Sequence, residues 1–233
     1  MILQKIFHNL KSPGIADSWL VHTRLMQYFL KTGLKSYNFL VMRTGLFQQA
    51  ITGSQGTGNT LDPTAIIDYN HVIIGDFTTI EKNVVIEKNS TIGNHVLIED
   101  GAAIGSEGFE FRRVAGEVLP VHHTGGVIIH DNVRIGQRVC IDKSMQFPPT
   151  EIGDSSVILA YSHIGHGVKI GQDTLLAEGT MVGGHASIGN RVRIGKDCSL
   201  ADAIIIGDDV VVPDRTVVTR NMQKMIHEPG NLS

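Results

Sequence analysis

The chain has 233 residues, of which 42% are hydrophobic and only 6% aromatic, and its formal net charge at pH 7 is −3. A chain of this size can bury one main core, and a weakly acidic balance without a long Lys or Arg run argues against nucleic acid as the main partner. The two cysteines, Cys140 and Cys198, form no CxxC pattern, which predicts a reducing compartment.

The first 60 residues do not repeat. In the stretch SWLVHTRLMQYFLKTGL, residues 18–34, apolar side chains recur at nearly helical spacing, which predicts an amphipathic helix that ends at Gly33. A second short helix is predicted near residues 37–49, and TGSQGTGNT, residues 52–60, has the composition of a flexible linker. We therefore expect residues 1–60 to be a helical cap and linker, with contact to a membrane surface as the alternative.

No targeting or spanning segment is recognisable in this N-terminal region. The first residues, MILQKIFHNLKSPG, lack the apolar run and cleavage site of a signal peptide. The apolar patches before residue 50 are interrupted by Lys31, Lys35 and Arg43, so none reaches the roughly 18 residues that cross a bilayer. We expect a cytoplasmic protein.

From residue 61 onward the sequence is dominated by a six-residue repeat. Aliphatic side chains recur every six positions from Ile74 to Ile104, from Ile129 to Ile141 and from Ile152 to Val218, and glycine follows many of them. A period of six is neither the 3.6 of a helix nor the two-residue alternation of a simple strand. It predicts an all-β solenoid of short strands and tight corners, with the aliphatic side chains inside.

Charged residues support a coil of three such repeats. Asp173, Arg191 and Asp209 are spaced by 18 residues, as are Glu178 and Lys196, so opposite charges would stack on neighbouring coils. We interpret these columns as solvated surface ladders and not as anion sites.

The repeat is interrupted twice. Residues 105–126, between Ile104 and Ile129, are predicted to form a loop excursion of the kind that often carries binding residues. Between Ile141 and Ile152 the spacing is 11 residues instead of 12, which predicts a distorted corner at Pro148 and Pro149. The solenoid is thus expected to span 61–220, with a C-terminal tail at 221–233.

A metal site among the histidines is not expected from the sequence. His163 and His166 are three residues apart, and residues at that spacing on an extended strand point to opposite sides. At the 18-residue spacing we expect no cysteine or carboxylate in register with them, as a zinc site would require.

General base catalysis is the alternative role for His166. Glycines flank it at a predicted corner, so its ring is expected to project outward, and Gly184 lies one coil later with an exposed N–H. A base beside an oxyanion donor is the arrangement that acyl transfer needs. The competing interpretation is that His166 is a tolerated surface residue. Cys140 and Cys198 occupy repeat positions that look buried, so no covalent intermediate is expected.

The six-residue pattern resembles the hexapeptide-repeat family, which implies a left-handed parallel β-helix with a short α-helical N-terminal segment here. The stretches IGSEGFEF, HHTGGVIIHDNVRIGQRVCID and SHIGHGVKIG resemble in particular the UDP-3-O-(3-hydroxyacyl)glucosamine N-acyltransferases (LpxD). That resemblance implies that His166 is the catalytic base and Gly184 the oxyanion glycine. It also implies that Phe109 and Phe111 lie near the acceptor.

The segments SHIGHG and GGHA are similar to those of the sibling O-acyltransferase, LpxA. This likeness implies that His163 and His185 line the same cleft, and we place His123 with them as a substrate-binding residue. The sequence departs from the LpxD pattern in having IDKS for IDRG and Gly167 for the asparagine after the base. Residues 1–60 do not resemble the uridine-binding N-terminal domain of that family.

The resemblance implies an N-acyltransferase of lipid A or surface-glycan synthesis that assembles as a homotrimer with sites between subunits. The acyl group would pass from an acyl carrier protein or coenzyme A thioester, a co-substrate, to the amine of a sugar or nucleotide sugar, with no other cofactor. The alternatives are an acetyl-coenzyme A-dependent acetyltransferase of a small amine or sugar, and a noncatalytic or carbonic-anhydrase-like, metal-binding hexapeptide trimer.

Overall fold

In the computed structural model of this chain, residues 31–36, 38 and 53–223 are described. The chain divides into two compact units. The first unit consists of 1–46 and 110–122, and the second of 47–109 and 123–233.

The strands of the described chain follow one another in a regular order. They are β1 (Ser54–Gln55), β2 (Thr60–Leu61), β3 (Ile66–Ile67), β4 (Val72–Ile74), β5 (Thr79–Ile80), β6 (Val85–Ile86), β7 (Ser90–Ile92), β8 (Leu97–Ile98), β9 (Ala103–Ser106), β10 (Phe111–Val114), β11 (Glu117–Pro120), β12 (Val127–Ile129), β13 (Arg134–Ile135), β14 (Cys140–Asp142), β15 (Thr150–Ile152), β16 (Val157–Ile158), β17 (His163–Ile164), β18 (Lys169–Ile170), β19 (Leu175–Leu176), β20 (Met181–Val182), β21 (Ser187–Ile188), β22 (Arg193–Ile194), β23 (Ser199–Leu200), β24 (Ile205–Ile206), β25 (Val211–Val212) and β26 (Val217–Val218).

The second unit is a left-handed parallel β-helix, as the six-residue period predicted. All its strands are shared among three parallel eight-stranded sheets, and successive strands enter the three sheets in rotation. The first sheet contains β1, β4, β7, β12 and β15, the second begins at β2, and the third contains β9, β14, β17 and β20. Each coil therefore contributes one short strand to every sheet.

The core of the β-helix is a column of aliphatic side chains. Ile152, Ile170, Ile188 and Ile206 are directly paired on successive coils, and all four are buried. This pairing confirms the 18-residue coil. The predicted surface ladder is also present, because the Nε–H of Arg191 donates to Asp209 Oδ1 at 2.7 Å.

Most corners turn through one residue with a left-handed backbone. Positive φ values recur at six-residue intervals, as at Asn83, Asn89 and His95 with φ of 55°, 64° and 54°. Left-handed backbone at a single residue lets the chain bend sharply between strands, and Asn and Gly adopt it most readily. Since His95 and Ala203 also occupy it, the corners accept other side chains.

The β-helix begins earlier than the sequence suggested. The predicted linker, 52–60, contains β1, whose Ser54 and Gln55 pair with Ile73 and Ile74. A linker composition was misleading here because glycines serve the corners of this fold as well as flexible segments. At the other end, Met222 bridges Ile206, so the predicted tail begins in contact with the last coil.

The first unit contains a hairpin and helical residues. Strands β10 and β11 pair antiparallel within the predicted excursion, and residues 31–36 and 38 are helical. Lys31 and Lys35 form ion pairs with Glu117, the second at 3.1 Å, and the side-chain amide of Asn38 donates to the carbonyl of Pro120 at 2.8 Å.

Gly33 lies inside the helical residues, so the prediction that it ends a helix was wrong. Glycine costs a helix only about 1 kcal/mol, which neighbouring contacts can offset. The remainder of both predicted helices, residues 18–30 and 39–49, lies outside the described residues. Within the described ranges no helix has the length and apolar character needed to cross a bilayer.

The second interruption of the repeat is an insertion. Ile141 lies in the third sheet and Ile152 in the next strand, β15, so one corner connects them. Eleven residues separate these two where six separate neighbouring aliphatic residues elsewhere, so this corner carries five extra residues. The predicted distorted corner at Pro148 and Pro149 lies in this insertion, where the chain makes one turn and not the two that a spacing of 12 would require. As a result, Cys140 pairs with His163, which is 23 residues away.

Candidate functional site

Three histidine rings meet at one side of the β-helix. The His166 ring lies between the other two, with its centroid 5.1 Å from that of His123 and 4.8 Å from that of His185. Both contacts are edge-on, at interplanar angles of 71° and 85°. His166 follows β17 at a corner, and His185 occupies a left-handed corner position one coil later. The structure thus brings together three of the predicted site residues.

Glycines make the space for all three rings. A Cβ at Gly184 would lie 2.8 Å from Cε1 of His166, and one at Gly108 would lie 2.7 Å from Nε2 of His123. At Gly167 it would lie 2.7 Å from Nδ1 of His185. Each distance is shorter than a carbon can approach without displacing its neighbour. The three glycines therefore leave the space that the imidazole rings occupy.

Two expectations about this site were wrong. His166 is only 9% exposed, because its ring packs between two others instead of projecting into solvent, whereas His185 is exposed. The N–H of Gly184 donates to Asp202 Oδ1 at 2.9 Å, so it is not the exposed donor that was predicted. The N–H of Asn190 is satisfied in the same way by Asp208 on the following coil. A hydrogen bond from a corner N–H to an aspartate on the following coil is therefore a recurring feature of this fold.

Glu107 contacts both the backbone and the ring of His123. Its backbone N–H donates to Glu107 Oε1 at 2.7 Å, and its ring is fully buried with Nδ1 3.6 Å from the same oxygen. Lys143 Nζ lies 3.1 Å from Glu107 Oε2. Burial raises the pKa of Glu107, but His123 and Lys143 outweigh it and hold that pKa below the usual range. Glu107 therefore remains an anion beside the buried ring.

His163 forms a separate cluster with Asp142 and Cys140. Its Nε2 lies 3.0 Å from Asp142 Oδ2, and Cys140 lies beside it on the neighbouring strand. The hydrogen bond with Asp142, followed by that with Cys140, raises the pKa of His163 to about 10 against the opposing effect of burial. The ring is therefore protonated at neutral pH and cannot accept another proton.

The expectation that no cysteine or carboxylate is in register with His163 was wrong. It assumed an 18-residue offset throughout, whereas the five-residue insertion makes the offset 23 at this place. Cys140, predicted to be buried, is partly accessible, whereas Cys198 is buried.

The two predicted aromatic residues lie in different units. Phe109 belongs to the β-helix unit and Phe111 begins β10 of the first unit. Their exposed fractions are 84% and 47%, so neither contributes to a core.

The left-handed corner at Gly167 offers a direct stability test. Gly167→Ala adds a methyl group to a residue with φ of +68° and displaces His185. Gly101→Ala adds it at φ of +70°, where the nearest atom is Cγ of Arg138 at 3.4 Å. We expect Gly101→Ala to cost roughly 1 kcal/mol and Gly167→Ala about 1–3 kcal/mol more. Urea unfolding of the two variants measures the difference. Equal losses would mean that Gly167 provides no space for His185.

The repeat region matches two family models. "Bacterial transferase hexapeptide (six repeats)" matches residues 71–106 and 149–184, and "Hexapeptide repeat of succinyl-transferase" matches 185–219. The β-helix is built of hexapeptide repeats.

Curated relatives are similar over part of the chain. A UDP-3-O-acylglucosamine N-acyltransferase of Shewanella denitrificans is 36% identical over 81 residues, which are 35% of this chain and 24% of that protein. Its namesake from Methylococcus capsulatus is 41% identical over 78 residues, which are 33% and 22% of the two chains. The matched region thus spans about a quarter of the length of these relatives.

Among solved structures, a UDP-N-acetylglucosamine acyltransferase of Francisella novicida is similar with a TM-score of 0.45 and 25% identity. The match covers 70% of this chain and 62% of that one.

Proposed function

We propose that this protein is an acyltransferase that moves an acyl group from a thioester to the amine of a sugar, in lipid A or surface-glycan synthesis. The observation that carries the proposal is the His166 ring, set between His123 and His185 in space that glycines leave open. The partial likeness to UDP-3-O-acylglucosamine N-acyltransferases supports an N-acyl product.

His166 acts as the general base in this proposal. The acceptor amine attacks the thioester carbonyl, an amide C–N bond forms, and the C–S bond breaks. The proton lost by the amine passes to the imidazole of His166 and then to the departing thiolate, which leaves as a thiol. His163 is unsuited to this step because its hydrogen bond with Asp142 raises the pKa of the His163 ring and keeps that ring protonated.

Gly184 has a steric role in the proposal. Any side chain there would push the His166 ring aside, and an error of about 1 Å in a catalytic group can cost about 100-fold in rate. We expect Gly184→Ala to lower kcat by roughly that factor while the protein remains folded. Gly101→Ala is the control, and a normal kcat for Gly184→Ala would contradict the steric role.

Substrate contacts are assigned around this ring. Exposed His185 and Phe109, both in the β-helix unit, are proposed to bind the acceptor, and buried His123 is proposed to fix the position of the base. The donor is an acyl carrier protein or coenzyme A thioester, and the mechanism needs no further cofactor. These assignments predict a rise in KM, with a smaller fall in kcat, for Phe109→Ala.

We further propose a homotrimer. Met181 and Val217 are 52% and 70% exposed and lie two coils apart in the third sheet, in the same column as His163. Burial of Met181 and Val217 against a second copy would place the site near a subunit boundary. Light scattering of the purified protein tests the stoichiometry, and a monomer at micromolar concentration would refute it.

The activity test is a matrix of donors and acceptors. Acyl carrier protein and coenzyme A thioesters of several chain lengths are incubated with UDP-amino-sugars, and acylated sugar is detected by mass spectrometry. His130→Ala is the matched control for His166→Ala, because His130 pairs with Glu151 next to the first sheet and away from the three rings. Absence of product with every pair would overturn the proposed reaction.

A further inference from the structure

Cys140, Asp142 and His163 form a cluster that the acyl-transfer chemistry does not use. The Sγ of Cys140 lies 3.7 Å from Asp142 Oδ1, and the Nε2 of His163 lies 3.0 Å from Asp142 Oδ2. One sulfur, one oxygen and one nitrogen ligand atom all lie within 4.8 Å of one another. Among the residues that the structure describes, this is the group of three potential metal ligands that converges in this way.

The fold fixes these three side chains on one face. Cys140 and His163 are direct partners on the parallel strands β14 and β17, so their side chains point the same way. Asp142 follows Cys140 by two residues, and the pairing of β14 with β9 shifts register between Ile141 and Asp142. A bulge changes the direction in which a side chain points, and at this one the carboxylate of Asp142 points toward Cys140 and His163.

The cluster is partly buried and partly exposed, as a metal site with one coordination position open to solvent would be. The Asp142 side chain is only 4% exposed, whereas that of His163 is 38% exposed and Cys140 is partly accessible. A nearly buried carboxylate requires a compensating positive charge. Nε2 of His163 is the partner of this carboxylate, 3.0 Å from Asp142 Oδ2, and a cation bound among the three ligands would compensate its charge directly.

We propose that Cys140, Asp142 and His163 bind a divalent transition metal ion, for which Zn²⁺ is the best match. A thiolate, an imidazole and a carboxylate are the three ligand types of zinc, and the mixture of sulfur and nitrogen disfavours Mg²⁺ and Ca²⁺. Three protein ligands leave a fourth position for water. Cys140 binds the ion as a thiolate and His163 as a neutral imidazole, so any proton that either group carries is released to solvent on binding.

The metal would join the coils on either side of the insertion. Cys140 precedes the five-residue insertion and His163 follows it, so one ion would connect β14 to β17 across the irregular corner. A ligand that binds only the folded chain raises its stability. A bound ion would occupy Nε2 of His163, which leaves the role of base with His166.

Cobalt is the probe for the test. The full-length protein is stripped with a chelator and dialysed, and Co²⁺ is then titrated while the near-ultraviolet thiolate-to-cobalt band and the visible bands of tetrahedral cobalt are recorded. We expect one Co²⁺ per chain, displacement by Zn²⁺, and a higher melting temperature with Zn²⁺ than without. Failure to reach one equivalent would overturn the proposal.

Matched variants identify the ligands. We expect Cys140→Ser to abolish the thiolate band, and Asp142→Asn and His163→Ala each to weaken binding at least about tenfold. Cys198→Ser and His130→Ala should bind as the parent does, since Cys198 is buried in the core and His130 pairs with Glu151 elsewhere. A thiolate band that survives Cys140→Ser would refute the assignment.

Alkylation provides a second measurement that needs no variant. We expect Zn²⁺ to slow the reaction of Cys140 with iodoacetamide at least about tenfold in the parent protein, because the metal occupies the thiolate. Mg²⁺ is the control ion. Equal alkylation rates with Zn²⁺ and Mg²⁺ would show that Cys140 is not a ligand.

Discussion

Replacing His166 with alanine is expected to lower kcat for acyl transfer by about 10²- to 10⁴-fold, the usual contribution of a general base. The ring lies at the centre of the three-histidine cluster, in contact with both His123 and His185. The measurement is steady-state turnover with the best thioester and amine found in the substrate matrix. KM should change less than kcat, because the base acts mainly in the transition state.

The fold of this variant is checked separately. His166→Ala should retain the melting temperature and oligomeric state of the parent to within the effect of His130→Ala. A folded variant with nearly normal turnover would remove His166 from the mechanism. A loss of turnover shared by His130→Ala would assign the effect to general destabilisation.

The Ile129→Ala variant is expected to lose about 2–5 kcal/mol of unfolding free energy, the cost of truncating a fully buried aliphatic side chain. Ile129 is 1% exposed and pairs with Ile92 and Ile152 on the adjacent coils. A cavity at this position weakens contacts to both neighbouring coils, because each coil of a solenoid rests on the coils beside it. Urea unfolding followed by circular dichroism measures the loss.

Ile128 provides a control in the same strand. It faces outward between Thr91 and Glu151 and is partly exposed, so Ile128→Ala makes the same chemical change outside the core. We expect a loss below about 1 kcal/mol for this variant. Similar losses at Ile128 and Ile129 would contradict the assignment of inward and outward faces.

The sequence predicted the architecture well because the period of six has one physical origin. One inward aliphatic side chain per strand is enough to build the interior column, and Ile152, Ile170 and Ile188 reveal the coil length directly. The predicted charge pairs follow from the same spacing, as Arg191 and Asp209 demonstrate. The first strand, β1, was missed because it consists of Ser54 and Gln55 and carries no aliphatic side chain.

The site was predicted only in part. The meeting of His166 and His185 follows from a regular coil, and the capping of Gly184 by Asp202 could have been foreseen from their 18-residue separation. The neighbours of His163 could not, because an insertion changes the stacking offset without changing the pairing. His123 reaches His166 only through the way the excursion closes, which residue spacing does not encode.

The 4.8 Å between the His166 and His185 ring centroids equals the usual separation of neighbouring strands, about 4.8 Å. Distances along the axis of the solenoid are therefore set in steps of one coil, while the chemistry within a coil is set by its corners. Gain or loss of a whole coil beyond β20 would lengthen or shorten the molecule by one such step and leave the three rings where they are. The number of coils therefore sets the distance from the three rings to a contact further along the solenoid, and this distance can change without altering the rings themselves.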